Sequence, residues 1–234
     1  MGVTAKKFGE LTSGEEITLY HLENQSGAYA EVMDYGAILV KVVVPDKDGR
    51  LIDVVLGYDD VQQYEVNGCF FGAIIGRSGN RIADSRFALD GQEITLTPNE
   101  GKNNLHSGPN GFEKKIWNAA EISEDKNAVM FSRISPDGEN GFPGEFQVSV
   151  TYEMTENNEL RIVYGGVCDR TTVANMTNHS YFNLAGEGSG KAMDQYLTIH
   201  AEAYTPVGEG SIPLGENAPV EGTPMDFRTP HTVG

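Results

Sequence analysis

The feature that most limits the fold of this chain is a series of short strand-like runs separated by turn residues. These runs are rich in β-branched and aromatic side chains, and four of them open the chain, at 17–22, 28–34, 37–44 and 51–57. No stretch shows a sustained period of 3.6 residues, and the one helix that we predict has one or two turns beginning near Asp59. The pattern predicts an antiparallel meander.

Two later turns extend the same pattern. Asp90-Gly91 separates RFAL from QEITL, and Asn157-Asn158 separates QVSVTYEM from ELRIVYGGV. These residue types adopt the left-handed conformations that tight hairpins need. The 28 glycines and 10 prolines also suit many short strands and turns. We therefore predict an all-β fold, a large antiparallel β-sandwich that forms one domain over residues 1–234.

Charge excludes two classes of partner. The chain has 17 Lys and Arg against 34 Asp and Glu, a net charge of −17, so nucleic acid and anionic membrane surfaces would repel it. No apolar segment approaches the length of a membrane span or a signal peptide. Cys69 and Cys168 form no spaced framework, and we predict that both are buried thiols of a cytoplasmic protein.

Polar side chains suited to hydroxyl-rich ligands follow an apolar run in the segment GRSGNRI at 76–82. Arg77, Asn80 and Arg81 lie there on a glycine-flanked turn, and Arg and Asn make several directed hydrogen bonds to vicinal hydroxyls. The alternative is a structural turn whose arginine pairs with Asp84. The glycine spacing does not match a phosphate-binding loop.

Two histidine segments offer acid-base chemistry. NLHSGPNGFEKKIW at 104–117 places His106 on a loop, where a histidine is either incidental or functional. TNHSYFNLAG at 177–186 crowds His179 and Tyr181 among amides and aromatic rings. Such surroundings tune a proton near neutral pH, although a hydrogen-bonded core histidine would look the same in sequence.

Other chemistries have weaker support. HxH, HExxH and CxxC motifs are absent from the sequence, which disfavours a local metal site, and no GxSxG elbow supports a serine hydrolase. Asp226 lies between Pro224 and Arg228 in TPMDFR, where we expect a structural Asp-Arg turn rather than a catalytic carboxylate.

Taken in order, GRSGNRI, NLHSGPNGFEKKIW, TNHSYFNLAG and the stretch from YTPVGEGSIPLG to GTPMDFRTP resemble the aldose 1-epimerases, or galactose mutarotases. The resemblance runs over nearly the full length. It implies the β-supersandwich fold and the interconversion of α and β anomers of free hexoses such as galactose and glucose, in a protein that needs neither cofactor nor metal.

The resemblance also implies roles for individual residues. The histidine that matches His179 is the general acid in that family, and residues matching Asn80, Arg81 and His106 hold the sugar, with Tyr181 as a further contact. The expected partner is a small aldohexose, and the sequence leaves the oligomeric state open.

Two departures from the family pattern stand out. Family members continue past the point where this sequence stops, and their general base, a glutamate, lies in that part together with a sugar-binding aspartate. We therefore expect either that the protein is longer than this sequence or that this is a form that lacks the C-terminal part of the family domain and contains no base, since neither residue maps onto Asp226. Ser107 also stands where a glycine is common.

Two other functions stay open at this point. A hexose-6-phosphate 1-epimerase would share the fold but needs additional basic residues for the phosphate, and the charge of −17 does not favour them. A catalytically incomplete sugar-binding module would retain the sugar contacts without turnover.

Overall fold

Five strands at the start of the chain form an antiparallel meander whose spatial order is the chain order. Our computed structural model, which describes residues 2–234, gives them the bounds β1 (Gly2–Glu10), β2 (Glu16–Glu23), β3 (Tyr29–Met33), β4 (Leu39–Pro45) and β5 (Leu51–Asp53). The last four are the strands that the sequence predicts. β1 was missed, because its Lys6 and Lys7 interrupt the apolar pattern while its backbone pairs along the whole of β2.

The one α-helix, α1 (Val61–Val66), follows the meander. Asp60 caps it by accepting a hydrogen bond from the Gln63 N–H at 3.0 Å. The side chains of Val61 and Tyr64 are the buried face of this helix. The predicted helix near Asp59 is confirmed, with its cap one residue later.

Several short elements connect α1 to the second sheet. They are β6 (Ile74–Ile75), β7 (Arg81–Ile82), β8 (Arg86–Leu89), β9 (Gln92–Thr95) and β10 (Asn104–Leu105), with 3₁₀ turns at Ala83–Ser85 and Phe112–Lys114. β8 and β9 form the hairpin predicted at Asp90-Gly91. Both turn residues have positive φ angles, 49° and 77°, which confirms the turn chemistry.

The second sheet is a four-stranded antiparallel meander. Its strands are β11 (Asn118–Ser123), β12 (Ala128–Ser135), β13 (Phe146–Met154) and β14 (Leu160–Cys168), with 3₁₀ turns at Glu124–Lys126 and Glu139–Gly141. The loop between β13 and β14 contains Asn157 and Asn158, and Asn158 has φ 61°. The second predicted hairpin is therefore confirmed.

The main core lies between the two sheets. Leu22, Val32 and Leu39 of the first sheet and Phe131 and Val150 of the second are at most 1% exposed and belong to one apolar cluster. Every second residue of β13 faces this cluster, as the period of a strand requires. A second cluster packs α1 against the other face of the first sheet. The all-β sandwich prediction is confirmed.

The last part of the chain consists of short strands and turns. They are β15 (Thr177–Asn178), β16 (Tyr196–Leu197), β17 (Ala203–Tyr204), β18 (Ala218–Pro219) and β19 (His231–Thr232), with 3₁₀ turns at Glu187–Ser189 and Glu209–Ser211. In this part Arg228 binds both carboxylate oxygens of Asp226, at 2.8 and 2.7 Å, so the structural Asp-Arg turn is confirmed.

The cysteine prediction was wrong in one respect. Cys69 is exposed and Cys168 is half-buried, so neither is a core thiol, although both are free. Across residues 2–234, no helix is both long and apolar enough to cross a membrane.

Candidate active site

Two short ribbons bring the polar segments of the sequence together. β6, which is fully buried, pairs with β15 so that Ile74 lies opposite Asn178, the neighbour of His179. β7 pairs with β10 so that Arg81 lies opposite Leu105, the neighbour of His106. His106, His179, Asn80 and Arg81 therefore lie at the same end of the sandwich.

His106 is held in one tautomer by the backbone of Asn80. The Asn80 N–H donates to Nδ1 of His106 at 3.0 Å, and the His106 N–H donates to the Asn80 carbonyl, also at 3.0 Å. Because Nδ1 accepts, the ring proton of neutral His106 sits on Nε2. Burial, reinforced by the neighbouring His179, lowers the pKa of His106 to about 4. His106 is thus a neutral hydrogen-bond donor at physiological pH.

His179 stands edge-on to His106, with ring centroids 5.2 Å apart and an interplanar angle of 89°. Its backbone N–H donates to the Ala73 carbonyl at 2.9 Å, which fixes the residue beside β6. The Asn178 amide binds Gly72 and the Tyr152 hydroxyl instead of the imidazole. Within the described chain neither imidazole nitrogen of His179 has a hydrogen-bond partner. This arrangement does not match that of a satisfied core histidine.

Aromatic rings surround the two histidines. Phe70 lies 4.8 Å from the His106 ring and 5.6 Å from the His179 ring, and Tyr181 lies 5.3 Å from His179. Phe71 packs edge-on against Tyr181 at 5.2 Å. Phe70 and Phe71 could not be identified from the sequence, because they stand in an apolar run that is equally typical of a buried core.

A hollow of about 390 Å³ opens between the histidine segments. Its wall is formed by one glycine and seven residues with polar side chains: Gly79, Asn80, His106, Asn175, Thr177, Asn178, His179 and Ser180. Among the described residues, none of those lining it is a carboxylate. Its size and polar lining suit a small hydroxylated molecule.

The arginines of GRSGNRI have different surroundings. Arg77 is 1% exposed and is a structural residue. Arg81 is partly exposed and donates from Nε and Nη2 to the Glu100 carboxylate at 2.6 and 2.7 Å. The suggested partner, Asp84, pairs with Lys102 at 2.8 Å instead, so the alternative of an Arg-Asp84 turn was wrong.

Four non-glycine residues at this end of the molecule have left-handed backbone. Phe70, Asn80, His106 and Ser107 have φ angles of 58°, 61°, 53° and 72°. Such conformations cost free energy in residues other than glycine, and they are typical of sites where geometry is set for function.

Ser107 fastens one site loop to the other. Its buried hydroxyl accepts from the Ser78 N–H at 2.7 Å and donates to the Ser78 carbonyl at 3.0 Å. Gly79, the next residue, binds the Asn175 carbonyl through its N–H at 2.7 Å. The hydroxyl at position 107 therefore ties the loop of His106 to the turn of Asn80.

A buried acid lies beneath the His106 loop. A Cβ on Gly111 would stand 2.4 Å from Oε2 of Glu113 and 2.9 Å from the His106 carbonyl, so only glycine fits there. Oε2 has no hydrogen-bond partner, and burial raises the pKa of Glu113 from 4.5 to about 7. The Glu113 carboxyl therefore stays protonated up to a higher pH in the folded chain than in the unfolded chain.

Glu113→Gln tests this burial. The stability associated with protonated Glu113 is present below pH 4.5 and is lost as the pH rises through 7, where the carboxylate must ionise. We expect the variant to be more stable than the parent at pH 8, by on the order of 2 kcal/mol, and to lose that advantage at pH 4.5. Urea unfolding at both pH values measures the difference, with exposed Glu93→Gln as control. An equal difference at both pH values would contradict the burial argument.

Comparison with known proteins identifies the family of the chain. Residues 18–234 match the family model described as aldose 1-epimerase. The chain belongs to the aldose 1-epimerase family. The resemblance drawn from the four sequence segments is confirmed, and the family is one of isomerases.

Curated relatives in the aldose 1-epimerase family extend from bacteria to mammals. A galactose mutarotase of Sus scrofa is 44% identical over 235 residues, covering 100% of this chain and 67% of the relative. An aldose 1-epimerase of Escherichia coli (strain K12) is 40% identical, covering 92% of this chain and 62% of the relative. The chain spans about two thirds of the length of these relatives.

Solved structures of aldose epimerases share the fold. A galactose 1-epimerase from Lactobacillus acidophilus superposes with a TM-score of 0.88 at 29% identity, covering 99% of this chain and 67% of that chain. The C. elegans aldose epimerase homologue gives 0.87 at 32% identity, covering 92% of this chain and 65% of that chain.

Proposed function

We propose that the hollow between His106 and His179 takes a free aldohexose, such as galactose or glucose, and that the chain interconverts its α and β anomers. One observation carries the proposal. Two imidazoles stand 5.2 Å apart at one polar hollow, one locked as a neutral Nε2–H donor and the other with both nitrogens unengaged. Membership of the aldose 1-epimerase family supports it.

In the proposed reaction, protonated His179 donates its proton to the ring oxygen of the sugar. The bond between carbon 1 and that oxygen breaks while the anomeric hydroxyl gives its proton to a water molecule of the solvent, which leaves an open aldehyde. Rotation about the bond between carbons 1 and 2 and reclosure give the other anomer, and the protons return to their starting groups. No electrons leave the sugar, so the proposed chemistry uses no cofactor.

The other predicted residues hold the sugar in this proposal. Nε2–H of His106 donates to a sugar oxygen, and it stays neutral because its pKa is lowered to about 4. Arg81 and Asn80 bind hydroxyls from the adjacent ribbon, and Tyr181 covers the His179 side. Fixing the reacting atoms lowers the entropic part of the barrier.

The absence of a carboxylate from the described wall of the hollow favours a second candidate, a sugar-binding module without turnover. His179 provides an acid, but none of the described residues lining the hollow is a carboxylate that could act as the base. A missing acid-base partner lowers the rate about 10²- to 10⁴-fold. We expect the 234-residue chain to bind galactose and to show a rate lower by that factor than the Sus scrofa mutarotase.

Polarimetry of freshly dissolved α-galactose, combined with calorimetric titration of the chain, separates the two candidates. Acceleration together with binding supports the epimerase. Binding without acceleration supports the module. If galactose neither binds nor changes its rate of mutarotation, both proposals are wrong.

We also propose a cytoplasmic location and no nucleic-acid partner. The two free thiols suit a reducing compartment, and a net charge of −17 repels phosphate backbones.

A further inference from the structure

The Arg81 guanidinium is held by a side chain that the family motifs did not draw attention to. Glu100 accepts from Nε of Arg81 at 2.6 Å and from Nη2 at 2.7 Å, a fork-to-fork pair that fixes the plane of the guanidinium. Two of the five N–H bonds of Arg81 are used in this way. The other three remain available for a ligand.

Glu100 itself stands on a rigid support. Its backbone N–H donates to the Asn103 carbonyl at 3.1 Å, and the Asn103 N–H donates back to the Glu100 carbonyl at 3.0 Å. The Asn99 side chain exchanges two further hydrogen bonds with the backbone of Leu105, at 2.9 and 2.7 Å. Since Leu105 faces Arg81 across the ribbon and precedes His106, the carboxylate has a fixed place relative to the site.

Arg81 and Glu100 lie beside the lining of the hollow, close enough for their charges to act on His106, and their pairing leaves no net charge there. Each partner stabilises the ionised form of the other: their hydrogen bond raises the pKa of Arg81 and lowers that of Glu100. The nearby Lys102 is paired with Asp84. Apart from the histidines, the described residues lining the hollow include no titratable side chain. A phosphate group would therefore meet no unpaired cation at this wall.

We propose, on the basis of the function proposed above, that Glu100 sets the substrate class of the site: it orients Arg81 toward a sugar hydroxyl and cancels its charge, so that an uncharged aldose is taken in preference to an aldose phosphate. Glu100 is a positioning residue in this account, because it acts on the ligand through Arg81.

Glu100→Gln tests the proposal, because glutamine keeps the shape and loses the charge. We measure calorimetrically the affinities of the chain for galactose and for galactose 6-phosphate. The variant should bind galactose about tenfold more weakly, as expected for loss of a charged hydrogen bond, and galactose 6-phosphate more tightly. Glu93→Gln, which removes an exposed carboxylate paired with Arg86 on the β8–β9 hairpin, is the matched control and should leave the ratio of the two affinities unchanged.

An unchanged ratio of the two affinities in Glu100→Gln, or an equal change in Glu93→Gln, would overturn the proposal. A second readout asks whether Glu100 acts through Arg81. In an Arg81→Lys background, which lacks the fork, Glu100→Gln should add little to the change in galactose affinity. If Glu100→Gln weakens galactose binding as much in the Arg81→Lys background as in the parent, Glu100 does not act through Arg81.

The pairing of Glu100 with Arg81 can also be measured in the absence of a sugar. This measurement separates the present proposal from the function on which it rests. If galactose does not bind the parent chain, the proposed function fails. Nuclear magnetic resonance then decides the role of Glu100. If the Arg81 Nε–H exchanges slowly with solvent in the parent chain and rapidly in Glu100→Gln, Glu100 holds the guanidinium as proposed. Fast exchange in the parent chain would overturn it.

Discussion

Replacing His179 by alanine is expected to reduce the acceleration of galactose mutarotation by about 10²- to 10⁴-fold. The imidazole nitrogens of His179 have no partner within the described chain, while the ring is confined by Phe70, His106 and Tyr181. The substitution therefore removes a proton donor and breaks no hydrogen bond of the fold. We expect thermal stability close to that of the parent, with the loss confined to the rate measured by polarimetry.

His200→Ala is the matched control for this variant. His200 is also a histidine, but it is exposed and does not line the hollow. The rate of galactose mutarotation with His200→Ala should equal the rate with the parent chain. If His179→Ala retains the parental rate, the assignment of the general acid is wrong. If both variants lose activity equally, the effect does not come from the site.

The largest effect on stability is expected at Arg77, which lies outside the reaction. Arg77 is 1% exposed, and its five N–H groups reach six acceptors, with one hydrogen of Nη2 shared: the Ser135 and Thr172 hydroxyls and the carbonyls of Ser135, Pro136, Pro143 and Gly144. Arg77→Met keeps the length and removes every donor. Four carbonyls then lose a charged donor inside the protein, so we expect a loss of at least about 3 kcal/mol.

Urea unfolding measures this loss, and Arg86→Met is its control because Arg86 lies on an exposed position of β8. Arg77→Lys should recover only part of the stability, since one ammonium group cannot reach the spread of acceptors that the guanidinium fork spans. A free energy of unfolding for Arg77→Met within about 0.5 kcal/mol of the parent, the range of ordinary surface substitutions, would contradict the structural role assigned to Arg77.

Local sequence patterns predict most of the fold. Alternating apolar residues and left-handed turn residues specify β2 to β5 and both hairpins, because those signals act over two to eight residues. β1 escaped prediction because its stability comes from pairing with β2, a long-range contact that its own residues do not announce. The exposed Cys69 escaped for a similar reason, as an apolar run does not reveal which members face solvent.

The sequence predicts which segments form the site, but it does not predict how their side chains are arranged in space. Flanking turn residues marked His106 as a candidate, and neighbouring amide and aromatic residues marked His179; the structure places the two rings edge-on at one hollow. Whether Arg77 or Arg81 is available to a ligand depends on burial, which the shared motif GRSGNRI does not encode. Glu100 and Phe70 became visible only when the ribbons brought distant segments together.

The central claim, that a free aldohexose sits between His106 and His179, is tested most directly by nitrogen-15 resonances of the histidine side chains during titration with galactose. We predict saturable shifts of the ring nitrogens of both residues, with His106 remaining in its Nε2–H form, while those of His200 do not move. Unchanged His106 and His179 resonances at high millimolar galactose would contradict the claim.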